Sequence, residues 1–156
     1  MHFKNILVPI DFSHFSKKAL EAAVELAECC NGKIHLLHIE EDIFHVEEVD
    51  HANPSLEKIS DEMHKAFVAQ KKRDLEQFKS YIPKKMFAGA IIKEGHAFIE
   101  IIKFAKNNDI DVIVMSSHGR SGLRQALLGS TTDKVSRKAG CAVLIIKDKD
   151  SKFLPL

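Results

Sequence analysis

The sequence predicts an α/β domain: an open parallel sheet with helices on both faces. Three observations lead there. Short, continuously apolar runs alternate along the whole chain with stretches that are apolar at helical spacing, about four times over, the pattern of strand–helix–strand units joined by right-handed crossovers. The chain has 156 residues, 45% of them hydrophobic, which suffices for one core and is too short for two ordinary domains. No internal repeat, linker or low-complexity tract interrupts it. Residues 1–148 therefore read as a single domain and residues 149–156 as a short tail.

Asn5 to Ile10 is a short apolar run of the kind covered on both faces of a sheet. Ser13 or Ser16 can cap the helix that follows, in which Phe15, Ala19, Ala22, Ala23, Leu26, Ala27 and Cys30 share a face, and Asn31-Gly32 closes it. Lys33 to Ile39 reads as the second strand. Glu40 to Pro54 is acidic and loop-like. The long helix after it places Leu56, Ile59, Met63, Ala66 and Phe67 on one face, continues through Leu75 and Phe78, and stops before Pro83. Met86 to Ile92 is a weaker strand. Gly95 opens a helix with Phe98, Ile101, Ile102 and Ala105 inward. Asp111 to Ser116 is a buried strand, Ser130 to Ala139 a helix, and Cys141 to Lys147 the last strand.

Composition excludes several classes. Lys and Arg number 23 against 22 Asp and Glu, a formal net charge of +1, which argues against a dedicated nucleic-acid binder. Nowhere do about 18 apolar residues run uninterrupted, so no membrane span is expected. The start lacks the basic-then-apolar layout of a secretory signal. Cys29, Cys30 and Cys141 are an odd set with no metal-ligand spacing, as expected of a reducing, cytoplasmic setting. His35 and His38, three apart on a strand, point to opposite faces and cannot share a metal. His45 and His51 fall in the acidic loop. Lys71-Lys72-Arg73 reads as a solvated helix face, and Cys30 as core.

In an open parallel sheet, ligands sit beyond the carboxyl ends of the strands, where strand order reverses. That directs attention to the loops after Ile10, Ile39 and Met115. The third reads Met115-Ser-Ser-His-Gly-Arg-Ser-Gly, then Gly129-Ser-Thr-Thr132 at a helix start. Amides of a glycine-rich turn, a helix N-terminus carrying roughly half a positive charge, the hydroxyls of Ser130, Thr131 and Thr132 and the guanidinium of Arg120 suit a polyphosphate. The alternative is that the glycines only turn the chain and Ser130 caps the helix, with Asp133 as its capping-box partner. Asp11, at the end of the first strand, can hold a ribose hydroxyl or Mg²⁺, or cap the next helix. Ile39 can meet a base edge through its backbone or belong to the core. His118, within the glycine loop, lies near any ligand there or serves the turn. The sequence contains no Walker loop, no Gly-x-Gly-x-x-Gly after the first strand and no Gly-x-Ser-x-Gly elbow.

Taken together these residues resemble the universal stress protein family over nearly the whole chain. Ile6-Leu-Val-Pro-Ile-Asp-Phe-Ser is similar to the family's first strand and turn, Leu36-Leu-His-Ile39 to its second strand, and Val112-Ile-Val-Met-Ser-Ser-His-Gly-Arg-Ser-Gly122 to its fourth. The nucleotide-binding branch carries Gly-x2-Gly-x9-Gly followed by Ser or Thr. Gly119 and Gly129-Ser130 fit its second and third elements, while Ser116 stands at the first glycine. The resemblance implies a five-stranded sheet in the order 3-2-1-4-5 and a homodimer formed through the last strand. It implies ATP, or ADP or AMP, with Mg²⁺ at Asp11. Pro9, Ile10 and Asp11 would line the adenosine, and Ile39 would meet adenine. Met115, Ser116, Gly119, Arg120, Gly129, Ser130, Thr131 and Thr132 would surround ribose and phosphates. With Asp11 the one base in reach, hydrolysis is expected to be slow at most. A nucleotide-independent interaction module, or a low-rate ATPase that phosphorylates itself, is the alternative.

Overall fold

The computed structural model describes residues 3–41, 54–119 and 128–147, with side chains in the long helix from residue 65 onward. The acidic stretch with His45 and His51, Arg120, the inward positions Leu56, Ile59 and Met63, and the C-terminal tail lie outside the described residues or side chains.

Five strands, β1 (Asn5–Ile10), β2 (Lys33–Glu40), β3 (Phe87–Glu94), β4 (Val112–Ser116) and β5 (Ala142–Ile146), form one parallel sheet in the order β3-β2-β1-β4-β5. The chain therefore builds outward from β1 to β3, then crosses back so that β4 takes the other side of β1. The order reverses between β1 and β4. Helices α1 (His14–Cys30) and α2 (Pro54–Ser80) cover one face, and α3 (Ala97–Asn107) and α4 (Ser130–Lys138) the other.

Alternation along the strands feeds two cores. Ile6, Val8 and Ile10 of β1 join Ile34 and Leu36 of β2 and Leu20, Ala23 and Ala27 of α1 on one face. Leu7, Leu37, Ile113 and Met115 meet Ile101 and Phe104 of α3 and Val135 of α4 on the other. Full burial of each such aliphatic side chain is worth about 1.5–3 kcal/mol. Because both faces of β1 and β4 are covered, their sequences read as unbroken apolar runs.

Local signals set most boundaries. Ser13 caps α1, its side chain accepting from the Ser16 amide, and Asn31 ends the helix in the left-handed conformation at φ 51°. Pro54 begins α2, a first-turn position suited to a residue without an N–H. Gly95 lies at φ +134° and His96, not Gly95, is the residue before α3. Gly129 rather than Ser130 occupies the cap of α4, so Ser130 is its first helical residue, and Asp133 pairs with Arg137 at 2.9 Å instead of completing a capping box. Among the described residues no helix is long and apolar enough to cross a membrane.

Four side-chain expectations are corrected. Ala66 and Phe67 are exposed, because the inward face of α2 passes through Lys71, Phe78 and the following Ile82. Lys71 is accordingly buried at 8% exposure, while Lys72 and Arg73 are solvated. Cys30 is half-buried at the helix end rather than core, and Ile102 is half-buried and outside the second core. His35 and His38 do face opposite ways, His35 against Phe104 and His38 against Phe12.

Candidate functional site

The carboxyl ends of β1, β2 and β4 and the first turn of α4 enclose a cleft of about 310 Å³ at the point where strand order reverses. Eleven of the twelve residues singled out from the sequence line it. Pro9, Ile10 and Asp11 come from β1, Ile39 from β2, and Met115, Ser116 and Gly119 from the end of β4; Gly129, Ser130, Thr131 and Thr132 come from the start of α4. Arg120, the twelfth, lies outside the described residues. His118 lines the cleft as well.

The β1–α1 turn is tightly specified. The Asp11 carboxylate accepts from the Ser13 amide at 3.0 Å, so it organises the turn while Ser13 caps the helix. Phe12 adopts φ 63°, a left-handed conformation that costs a bulky residue on the order of 1–3 kcal/mol. The second carboxylate oxygen of Asp11 would stand 2.9 Å from a Cβ at residue 119. A side chain at 119 would press on the Asp11 carboxylate, so glycine lets the loop after β4 approach without displacing it.

The segments Ser116–Ser117 and Gly129–Thr132 are bonded side by side. The Gly129 amide donates to the Ser117 carbonyl at 2.7 Å, and the Thr132 hydroxyl donates to the Ser116 carbonyl at 2.9 Å. The Ser117 amide donates in turn to the carbonyl of Ile146 on β5. The Ser116 hydroxyl reaches the His118 carbonyl at 2.6 Å, and Ser117 Oγ lies 2.9 Å from His118 Nδ1. Ser116 is not in the left-handed region, so serine occupies this position without backbone strain. These bonds reassign two of the expected donors. The Thr132 hydroxyl proton and the Gly129 amide serve the protein, which leaves the first-turn amides of α4 and the hydroxyls of Ser130 and Thr131 as donors toward the cleft.

The cleft is lined further by Glu41, Ala97 and Ile101, which the sequence did not assign to the site. The Glu41 carboxylate accepts from the Ala97 amide at 3.0 Å and so caps α3, whose own cap residue His96 makes no side-chain bond. Its spacing from Ala97 in sequence carries no local signal. Ile101 follows the helical period inward and is indistinguishable in sequence from any core residue. Ser16, buried in the first turn of α1, completes the lining.

The model of the Universal stress protein family matches residues 2–147. The chain belongs to that family. This universal stress protein is 32% identical to universal stress protein MJ0577 of Methanocaldococcus jannaschii over 96% of its own length and 98% of that protein's. It is 33% identical to universal stress protein YxiE of Bacillus subtilis over 93% and 99%. The solved structure of MJ0577 superposes with a TM-score of 0.77, covering 97% of this chain and 100% of that one. A universal stress protein crystallised in complex with cAMP shares the fold at TM-score 0.66 and 17% identity, over 94% and 98% of the two chains. The five-stranded order 3-2-1-4-5 is thus the family's architecture as well as the observed one.

Proposed function

We propose that this universal stress protein binds an adenine nucleotide, ATP or its relatives ADP and AMP, with Mg²⁺, and acts as a cytoplasmic homodimer whose nucleotide occupancy is read by protein partners in the stress response. The observation that carries the proposal is the convergence of three distant loops on one cleft at the switch point of the sheet. Apolar Pro9, Ile10, Ile39, Ile101 and Met115 suit a purine. Asp11 is placed for ribose hydroxyls or the metal. The first turn of α4, with Ser130 and Thr131, meets the phosphates; Arg120, expected there from the sequence, lies outside the described residues.

Fit to the phosphates is tested at Gly129. Among the described residues a Cβ there would find its nearest atom at 3.4 Å, and φ is −63°, so neither their packing nor the backbone demands glycine. Room for a phosphate is the role this reading gives the position. Among the described residues no three His, Cys, Asp or Glu side chains gather around a common metal position. Mg²⁺ would neutralise the phosphates, with Asp11 its protein ligand and phosphate oxygens and water completing the shell. The cAMP complex of a protein with this fold supports an adenine ligand. The half-exposed edge strand β5 supports the dimer. Free cysteines suit the cytoplasm.

The test is a thermal melt with Mg-ATP, Mg-ADP or AMP. At 100 times the dissociation constant the ligand stabilises the fold by about 2.7 kcal/mol, a rise of roughly 5–11 °C for a domain of this size. No rise with folded protein at millimolar nucleotide overturns the proposal.

A further inference from the structure

Behind the cleft, on the α1/α2 face of the sheet, lies a buried polar cluster that the proposed site leaves unused. His38 is 3% exposed. Its Nδ1 donates to the Ile10 carbonyl at 2.8 Å, and its Nε2 lies 3.1 Å from a Glu40 carboxylate oxygen. The same oxygen is 3.3 Å from the ammonium of buried Lys71 on α2. Phe12 closes the cluster from above. Its ring lies against His38, tilted by 43° with centroids 4.2 Å apart, meets Phe78 edge-on at 5.6 Å, and has the Lys71 ammonium 5.5 Å from its centroid.

Asp11 sits between two residues that this cluster anchors. The Ile10 carbonyl belongs to the peptide plane that enters Asp11, so the bond from His38 adds a side-chain hold on that plane at the end of the β1–β2 ladder. Phe12, at φ 63° with its ring against His38, sets the plane that leaves it. With both planes set, the direction of the Asp11 side chain is set, and the carboxylate is delivered to the Ser13 amide and against Gly119. A buried ionic cluster contributes little net stability compared with an apolar replacement of the same shape. Geometry is what it supplies.

We infer that His38 is a positioning residue for the nucleotide site, acting through Asp11. The inference rests on the nucleotide reading above, and the test separates the two. His38→Phe keeps a ring beneath Phe12 and removes the bond to Ile10; His38→Asn returns a donor near the Nδ1 position. Calorimetric titration with Mg-ATP should show His38→Phe weakened by about tenfold or more, with His38→Asn recovering most of the loss. In an Asp11→Ala background the same His38→Phe change should alter affinity less than about twofold, because its route has been removed. An equal loss in both backgrounds, or no loss in either, overturns the inference. Should His38→Phe not fold, His38→Gln, whose donor sits near the Nε2 position, takes its place. If the unmodified protein binds no Mg-ATP, the nucleotide reading fails on its own, and a ligand-free crystal structure of the variant decides the positioning claim. Phe12 leaving the left-handed region with Asp11 displaced from Gly119 supports it; an unchanged turn refutes it.

Discussion

Two positions in the glycine motif obey different constraints, and they predict different variants. At Gly119 the constraint is internal, since a Cβ would meet the Asp11 carboxylate at 2.9 Å. At Gly129 the described residues leave ordinary contact distances. Gly129→Val should therefore keep a cooperative melt, losing about 1 kcal/mol for a poorer helix cap, while abolishing Mg-ATP binding in calorimetric titration. Retained affinity would show that the phosphates lie elsewhere. Ser116→Gly behaves oppositely. It removes the 2.6 Å bond to the His118 carbonyl, lowering stability by about 1 kcal/mol, and leaves affinity within about threefold because the backbone there needs no left-handed freedom.

Strands and helices are tied by a few identifiable bonds. One carboxylate oxygen of Asp111, just before β4, accepts from the Lys4 amide at 2.7 Å and the Asn5 amide at 2.8 Å, fastening the entry of β1 to that of β4. Asp111→Ala removes both bonds, leaving the exposed Lys4 amide to water and the part-buried Asn5 amide without this partner, and should reduce stability by about 1–2 kcal/mol, a fall in melting temperature of roughly 2–8 °C by calorimetry. A second prediction concerns β2 on α3. Burial against Phe104 pushes the His35 imidazole below its ordinary 6.5. The folded chain thus takes up this proton at lower pH than the unfolded chain does. Neutral His35 stabilises the fold above about pH 6.5, and that contribution is lost on acidification. Between pH 7.5 and 5, the melting temperature of the native sequence should fall further than that of His35→Gln; equal slopes would contradict this.

The sheet as assembled has two unlike edges. β3 shows Ile91 and Ile92 to solvent beside charged Lys93 and Glu94, whereas β5 runs Ala-Val-Leu-Ile-Ile with Leu144 40% exposed. An apolar edge strand invites pairing with a second copy, while charges next to the β3 residues discourage it. With a net charge of only +1, long-range repulsion between copies is weak. The proposed dimer therefore uses β5, and Leu144→Lys should convert it to a monomer by light scattering at micromolar concentration, with the melt largely preserved. A native protein that is monomeric under those conditions removes the dimer from the proposal.

Much of this was readable from the chain alone, and for a local reason. β1 and β4 are apolar without a break because both faces are covered, α1 carries Ser13 and Asn31 at its ends, and the spacing of Gly119 and Gly129-Ser130 is a property of consecutive residues. Alternating periodicity establishes a parallel sheet but is silent on the order of its strands; that order was expected from the family resemblance, since pairing between distant segments leaves no local trace. For the same reason Lys71 reads as one of three solvated basic residues until α2 is packed and its inward face proves to run through it. Glu41 reads as one acid in an acidic stretch until α3 arrives to be capped. Side-chain chemistry and period act over a few residues and belong to the sequence. Which surface of each element meets another, and hence which charge is buried and which carboxylate faces a cleft, is settled when segments far apart in the chain compete for the same space.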